Sequence, residues 1–374
     1  MRKIIYISLL LLFSCADGTQ KNNHSGINID SKGKIEQSNF LLSSIVDNFS
    51  FVELETNDNS LLQAVDKVII KDDLIFVLDK DGNNQVLVFD INGKYIRKIG
   101  NIGAGPGEYQ NVSDFCIDNN LIYILSDLSL YVYNHDGIFL EKIKLDFNAA
   151  NIEFFKDKFF FICGIDNYII VTDDKFNVLT SDFPLKNSGA NVDDVTGIPI
   201  DFRLLINPML RTDSSLVFRR FLDNHVYKID ENLDTDCQYY FDFGEKSFSI
   251  ESSGKFTREA DFKEKMANSR CHVKYLTEDE NYILYIFFDE NIPCLGVYDK
   301  SVNKTEMYHY EKLVDDITNI SFPIFEYSTK NEIIAVINPM ELSKEEIIEM
   351  NKIGVNINNE SNPILYIVKT KKRV

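Results

Sequence analysis

The chain has 374 residues, with 39 Lys and Arg against 58 Asp and Glu, a formal net charge of −19 at pH 7. That balance argues against nucleic acid as a partner, because phosphate contacts need clustered Lys and Arg. A hydrophobic fraction of 44%, with 28 Phe, 18 Tyr and no Trp, is ample for a large core packed by Phe and Tyr.

Arg2 and Lys3 precede an apolar run from Ile4 to Phe13 that ends at Ser14 and Cys15. A basic start followed by about ten apolar residues is a secretory signal, too short to span a bilayer. Leu12-Phe13-Ser14-Cys15 resembles a bacterial lipobox, which makes residues 1–14 the signal peptide and Cys15 the lipidated first residue of the mature chain. An ordinary cleaved signal with an incidental cysteine is the other reading. Loss of Arg2 and Lys3 leaves 37 basic residues against 58 acidic ones, a net −21. Residues 15–40 are rich in Asn, Ser, Lys and Gly and read as a flexible tether, and the folded domain is expected over 41–374.

Beyond residue 48 the chain becomes short β-rich runs separated by Asp, Asn, Gly and Lys. Phe49–Leu54 stands alone. The first group of four is Val65–Lys71, Leu74–Leu78, Gln85–Phe89 and Tyr95–Ile99. It leads into Ile99-Gly100-Asn101-Ile102-Gly103-Ala104-Gly105-Pro106-Gly107-Glu108-Tyr109. The glycine spacing suggests a phosphate cradle, but such loops open a helix. Here the alternating run Val112–Asp118 follows, with no helical period and no Gly-Lys-Ser/Thr, so a crossover between two sheets is the better reading.

Phe89-Asp90-Ile91-Asn92-Gly93-Lys94-Tyr95-Ile96-Arg97-Lys98-Ile99-Gly100, followed by Gly105-Pro106-Gly107-Glu108-Tyr109, resembles the six-bladed β-propeller lipoproteins of Bacteroidetes, distant relatives of NHL-repeat propellers. Weaker matches follow in order at Asp223-Asn224-His225-Val226-Tyr227-Lys228-Ile229 with Tyr240-Phe241-Asp242-Phe243-Gly244, and at Asn362-Pro363-Ile364-Leu365-Tyr366. His225 stands where a small hydroxyl residue is expected. The resemblance covers nearly all of the mature chain and implies an envelope location, lipid-anchored at the outer membrane. It conveys fold more than function.

Four further groups repeat the pattern. They are Ser113–Ile117, Leu121–Leu125, Leu130–Tyr133 and Phe139–Leu145; Ile152–Phe155, Lys158–Cys163, Tyr168–Thr172 and Phe176–Phe183; Arg203–Leu210, Ser215–Arg219, His225–Ile229 and Cys237–Phe243; and Arg270–Leu276, Tyr282–Phe288, Cys294–Tyr298 and Lys304–Tyr308. An Asp- or Asn-led turn recurs between third and fourth strands at Asp90, Asn134, Asp173, Asp230 and Asp299. Units of this length and strand count have the period of propeller blades. The sixth unit has only Ile320–Tyr327, Glu332–Ile337 and Ile364–Val368, so Phe49–Leu54 is expected to complete it and remove an open edge. The expected fold is therefore all-β, a six-bladed β-propeller of four-stranded antiparallel blades closed by an N-terminal strand joining the last blade. Phe256–Ser269 and Glu341–Ile353 have helical spacing, and Lys186–Asp201 reads as a long loop.

The five cysteines after Cys15 show no Cys-x-x-Cys spacing and read as small buried hydrophobes; a Cys271–Cys294 disulfide between neighbouring strands is the alternative in an exported protein. With no His-Glu-x-x-His and no Gly-x-Ser-x-Gly, zinc and α/β hydrolases have little support. Lactonases and lyases of related fold hold Ca²⁺ or Zn²⁺ in the central tunnel. The equivalent candidates here are Asp114, Asn207, His272 and Asn319, with hydrated tunnel polarity as the plainer reading. Arg97, Glu108 and Tyr109 are candidates for the funnel mouth, against a packing role for Tyr109 between blades. Arg203, with Arg211, Arg219 and Arg220, could bind a carboxylate or a sulfated glycan, against ordinary ion pairing. The leading functional expectation is a lipid-anchored module binding a small molecule, a glycan, a peptide or an envelope protein. The runner-up is a metal-dependent lyase or hydrolase with its site in the tunnel, which would call for Ca²⁺ there. The basic cluster Lys369, Lys371, Lys372 and Arg373 reads as a solvated tail.

Overall fold

In the computed structural model the described residues are 26–118, 120–163, 168–182, 207–211, 216–220, 222–249 and 259–372. The signal and lipidation motif, His24, the stretch 186–201, Arg203 and Arg373 lie outside them. The expected architecture is present: six four-stranded antiparallel blades form a propeller. The first four blades are Lys67–Lys71, Leu74–Asp79, Gln85–Asp90, Tyr95–Ile99; Asp114–Ile117, Leu121–Ser126, Ser129–Asn134, Phe139–Lys144; Ala149–Phe155, Lys158–Cys163, Ile169–Thr172, Val178–Asp182; and Met209–Arg211, Leu216–Arg219, His225–Ile229, Thr235–Asp242. The fifth is Arg270–Glu278, Tyr282–Asp289, Ile292–Asp299 and Lys304–His309. The sixth runs inward to outward as Phe325–Ser328, Glu332–Ile337, Ile364–Thr370 and Val46–Glu53.

The recurring turn has one chemistry. Asp90 Oδ1 accepts from the N–H groups of Asn92 and Lys94, both at 2.9 Å. Asn134 does the same for Asp136 and Ile138, Asp173 for Lys175 and Asn177, and Asp230 for Asn232 and Asp234. In blade five Asp299 Oδ1 takes the N–H of Ser301 at 2.8 Å. A short side-chain acceptor thus satisfies the turn's orphan donors, which explains why Asp or Asn recurs at this point of the unit.

A blade is too thin to bury both faces alone, so the core lies between blades. Phe76, Tyr109, Phe115 and Tyr133 pack blade one on blade two. Equivalent clusters join two to three, three to four, four to five and five to six. The ring closes through Val52, Leu54, Val68, Phe89, Tyr327 and Leu365 between blades six and one. Val46–Glu53 pairs antiparallel with Ile364–Thr370, Phe51 opposite Tyr366, as the unpaired leading strand requires.

Asn362 fastens this closure from just before the last strand. Its Oδ1 accepts from Leu62 N–H at 2.9 Å, and its Nδ2 donates to the carbonyls of Glu55 and Ser60 at 2.8 and 2.7 Å. Its own N–H donates to Thr56 Oγ1 at 2.8 Å. One buried amide therefore ties the C-terminal strand to the segment that carries the leading strand into blade one.

The segment expected as a tether is structured from Gly26 onward. Ile27–Asp30 adds a fifth strand, parallel, to the outer edge of blade four, and the fully buried Ile29 enters the core between blades four and five. Arg270 Nη1 donates to the carbonyls of Ser31 and Gly33 at 2.9 and 2.8 Å, and the Ser31 hydroxyl pairs with Tyr285 Oη at 2.6 Å. Glu36 N–H donates to the Met307 carbonyl, and Phe40 and Leu42 then fill the core between blades five and six. Composition misleads here because two buried apolar side chains and a free strand edge are enough to dock a polar segment.

The expected helices form as α1, Glu259–Ala267, and α2, Lys344–Lys352. A capping box between Ser343 and Glu346 starts α2. The innermost strand of blade six starts at Phe325 rather than Ile320, because Asp315–Ile320 closes on itself and Pro323 cannot join a ladder. The five described cysteines are free. Cys271 pairs across from Phe288 and Cys294 from Phe287, so the two thiols lie on opposite faces of their sheet and no bond joins them.

Replacing Asn362 by Ala strands buried backbone groups on both sides of the closure. Asn362→Ala is expected to lower unfolding stability by roughly 2–4 kcal/mol, read from urea denaturation with an unchanged m-value.

Candidate functional site

The innermost strands of all six blades surround a central cavity of about 790 Å³. Each blade is entered the same way, so these strands run in one direction and their C-terminal ends share one mouth. Lys71, Arg211, Glu280 and Lys330 line that end; Lys67, Asn207 and Glu326 line positions nearer the strand starts, and Glu153 lines the wall beside Lys67.

Most of the charges inside are satisfied by the protein itself. Lys67 Nζ lies 3.1 Å from Asp114 Oδ1 and 2.8 Å from Glu153 Oε1. It also donates to the carbonyls of Phe115 and Ile152 at 2.8 and 3.1 Å. Burial alone would lower its pKa, but Asp114 and Glu153 outweigh that and drive it upward, so the ammonium stays charged. Asp114 Oδ2 accepts from Ile152 N–H at 2.9 Å. One lysine thus joins the inner strands of blades one, two and three. On the other side Lys300 Nζ pairs with Glu278 at 2.9 Å, and Tyr239 Oη donates to the same carboxylate at 2.6 Å.

Glu326 is different. It lies on the inner strand of blade six, lines the cavity, and receives no hydrogen bond and no ion pair within the described structure. Burial is the largest influence on it; Lys274 works the other way, and Asp66 and Glu341 add to burial. The outcome is a pKa raised to about 7. On the next residue, the buried Tyr327 hydroxyl faces the Asn207 side chain, and both residues line the same cavity.

Of the residues singled out from sequence, the structure brings Asn207 to the cavity wall and places Asp114 directly behind it, on Lys67. His272 sits at a bulge in the inner strand of blade five with φ 58°, its ring stacked on Phe288 at 5.9 Å. Burial, reinforced by Arg219 and Lys274, pushes its pKa down to about 3, so the ring is neutral. Asn319 is exposed in the loop closed by Asp315, its N–H donating to the Asp315 carbonyl at 2.8 Å. These four do not converge, and no group of three or more His, Cys, Asp or Glu among the described residues is arranged to hold a metal ion.

The mouth candidates belong to the joint between blades one and two. Tyr109 is fully buried, donates from its hydroxyl to the Ile99 carbonyl at 2.9 Å, and meets Tyr131 edge-on at 6.0 Å. Glu108 Oε2 accepts from Gly105 N–H at 2.8 Å, holding its own loop. Arg97 donates to the His135 carbonyl in the blade-two turn. Gly100, with φ +63°, has no room for a side chain, since a Cβ would fall 2.4 Å from the Tyr133 hydroxyl. The glycine-rich motif is therefore a packing device.

The arginines divide similarly. Arg219 is buried and donates to the carbonyls of Val273, Lys274 and Asn207 at 2.8, 3.2 and 3.0 Å, which fixes the blade-five bulge. Arg220 grips the buried Asp223, which also receives Tyr227 Oη and His225 Nδ1 at 2.9 and 2.8 Å. Among the described arginines of this group, Arg211 alone lines the cavity.

Sequence reading missed Lys67, Glu153 and Glu326. A signal existed: each is a charge inside a run otherwise read as an innermost strand.

A carboxyl group with a raised folded pKa holds a proton that the unfolded chain has already released between about pH 4.5 and 7. Native stability from Glu326 is therefore greatest at acid pH and declines as pH rises through that window. Glu326→Gln should leave stability unchanged near pH 4 and raise it by up to roughly 2–3 kcal/mol at pH 8. Denaturation curves at the two pH values check this; equal effects at both would contradict it.

In overall shape the chain is similar to the crystal structure of a Bacteroides fragilis protein inferred to be exported. Identity is 18%, the TM-score is 0.67, and the match covers 92% of this chain and 99% of that one. At that identity the likeness shows the fold alone. A member of the DUF4221 family from Bacteroides vulgatus is similar at 10% identity with a TM-score of 0.47, over 88% of this chain and 98% of that one. A search of curated proteins found no match. A family model matches residues 26–369, and with nearly the whole domain covered the chain belongs to that family, described as "Domain of unknown function (DUF4934)".

Proposed function

We propose that this protein is an envelope binding module: exported, held by a lipid on Cys15, and taking a small polar ligand in its central tunnel. The observation that carries the reading is the cavity of about 790 Å³ walled by all six inner strands, within the usual size of a small-molecule site. Its wall holds one half-buried carboxylate, Glu326, with no hydrogen bond or ion pair, where Lys67 and Lys300 are paired. Unpaired buried charge costs stability, and its persistence in a cavity is the signature of a group kept for a ligand.

The lipobox-like motif and the likeness to the inferred exported protein support the location. No helix among the described residues is long and apolar enough to cross a membrane. If Cys15 carries the lipid, residues 16–25 span at most about 40 Å, so the outer edge of blade four stays close to the bilayer. A glycan, a peptide or another envelope protein remains a partner of the outer face in this reading, with nucleic acid disfavoured by the net charge.

Two variants test the two halves. Cys15→Ala is expected to move the protein from the membrane fraction to the soluble fraction; unchanged membrane retention would remove the anchor. Ser328→Trp fills the tunnel from an inner-strand position. It should abolish any ligand-induced rise in melting temperature found in a small-molecule screen. A rise that survives the plug would place binding elsewhere.

A further inference from the structure

The paired charges leave the tunnel with a defined preference. Two of its cations are committed to carboxylates, Lys67 to Asp114 and Glu153 and Lys300 to Glu278, while Lys71 and Arg211 donate to the carbonyls of Asp118 and Phe154. Asp279 is committed as well, receiving N–H groups of Asn281 and Tyr282 and the Thr370 hydroxyl. An anionic ligand group would have to displace one of these bonds. Glu326 offers the reverse, a half-buried acceptor on the cavity wall with no hydrogen bond or ion pair to displace.

The groups within electrostatic reach of Glu326 come from every side. Lys274 and Tyr275 belong to the inner strand of blade five, and Tyr310 follows that blade's last strand. Asp66 precedes the first strand of blade one, and Glu341 lies in the excursion before α2. The Lys274 ammonium lies 5.2 Å from the centroid of the Tyr275 ring and forms no ion pair with Glu326. Two further acids against one lysine bias the surroundings of Glu326 toward negative charge, which suits a cation.

Resting on the tunnel-binding reading above, we infer that the ligand carries a cationic nitrogen, an ammonium or guanidinium group, that docks on the Glu326 carboxylate. The tunnel's bound molecule is thus an amine- or guanidine-bearing small compound, whose neutral polar part would lie along the Tyr327 and Asn207 side chains that line the same cavity.

Isothermal titration of the mature chain with agmatine tests this, with succinate and trehalose as the anionic and neutral comparisons. Agmatine should bind at pH 8, at least tenfold more weakly to Glu326→Gln, and about tenfold more weakly to the native protein at pH 6, where the carboxyl is mostly protonated. Unaltered affinity in Glu326→Gln, or affinity independent of pH, overturns the inference, as does absence of agmatine binding. Succinate or trehalose binding that Ser328→Trp abolishes, with agmatine silent, would sink the cation preference while leaving a tunnel ligand in place. Silence of all three probes and of a wider screen would sink both. Circular dichroism of the two variants confirms that the propeller is intact before affinities are compared.

Discussion

The structure depends on one antiparallel pairing, Val46–Glu53 against Ile364–Thr370, between segments more than three hundred residues apart. Without it the sixth blade has three strands and an open edge, and the cluster between blades six and one loses Val52 and Leu54. Asn362 reinforces the pairing with hydrogen bonds that only an amide can make, donating and accepting at once. A ring closed in this way fixes the distance of every inner strand from the axis. The tunnel is therefore a consequence of closure, and its shape is set far from its own lining.

Within that tunnel two opposite treatments of buried charge occur side by side. Lys67 shows charge used as mortar: two carboxylates and two carbonyls from neighbouring blades converge on one ammonium. Removing any partner would leave a charge buried without compensation, a costly state. Glu326 is treated oppositely, half-buried on the wall with no hydrogen bond or ion pair. Burial and two acids oppose its ionisation, and the one nearby lysine does not reach it. The proposed ligand-binding role rests on this contrast, because the same inner-strand scaffold is able to supply a counter-charge and here does not.

The N-terminal strap adds a second non-local device. Ile29 inserts between blades four and five, Arg270 clamps the carbonyls of Ser31 and Gly33, and Phe40 and Leu42 reach blades five and six. Half of the ring is thereby belted from outside before the chain enters the closing strand. The strap fixes the first described residues, from Gly26, against the outside of the blades.

The repeat itself was legible in the amino-acid order. Hydrophobic runs of strand length, Asx-led turns and an unpaired leading strand specify blades and their closure, because each depends on residues close in sequence or on one missing partner. Glycines around Tyr109 were recognisable as a joint between sheets. The tunnel chemistry was not legible. Whether Asp114, His272 or Glu326 meets a partner depends on which neighbouring blade faces it, and only three-dimensional packing decides that. Likewise the polar segment after Gly26 carries no strand signal of its own. It becomes a strand because blade four offers a vacant edge and a pocket for Ile29. Local pattern determined the architecture, and long-range packing determined which charges were left unsatisfied.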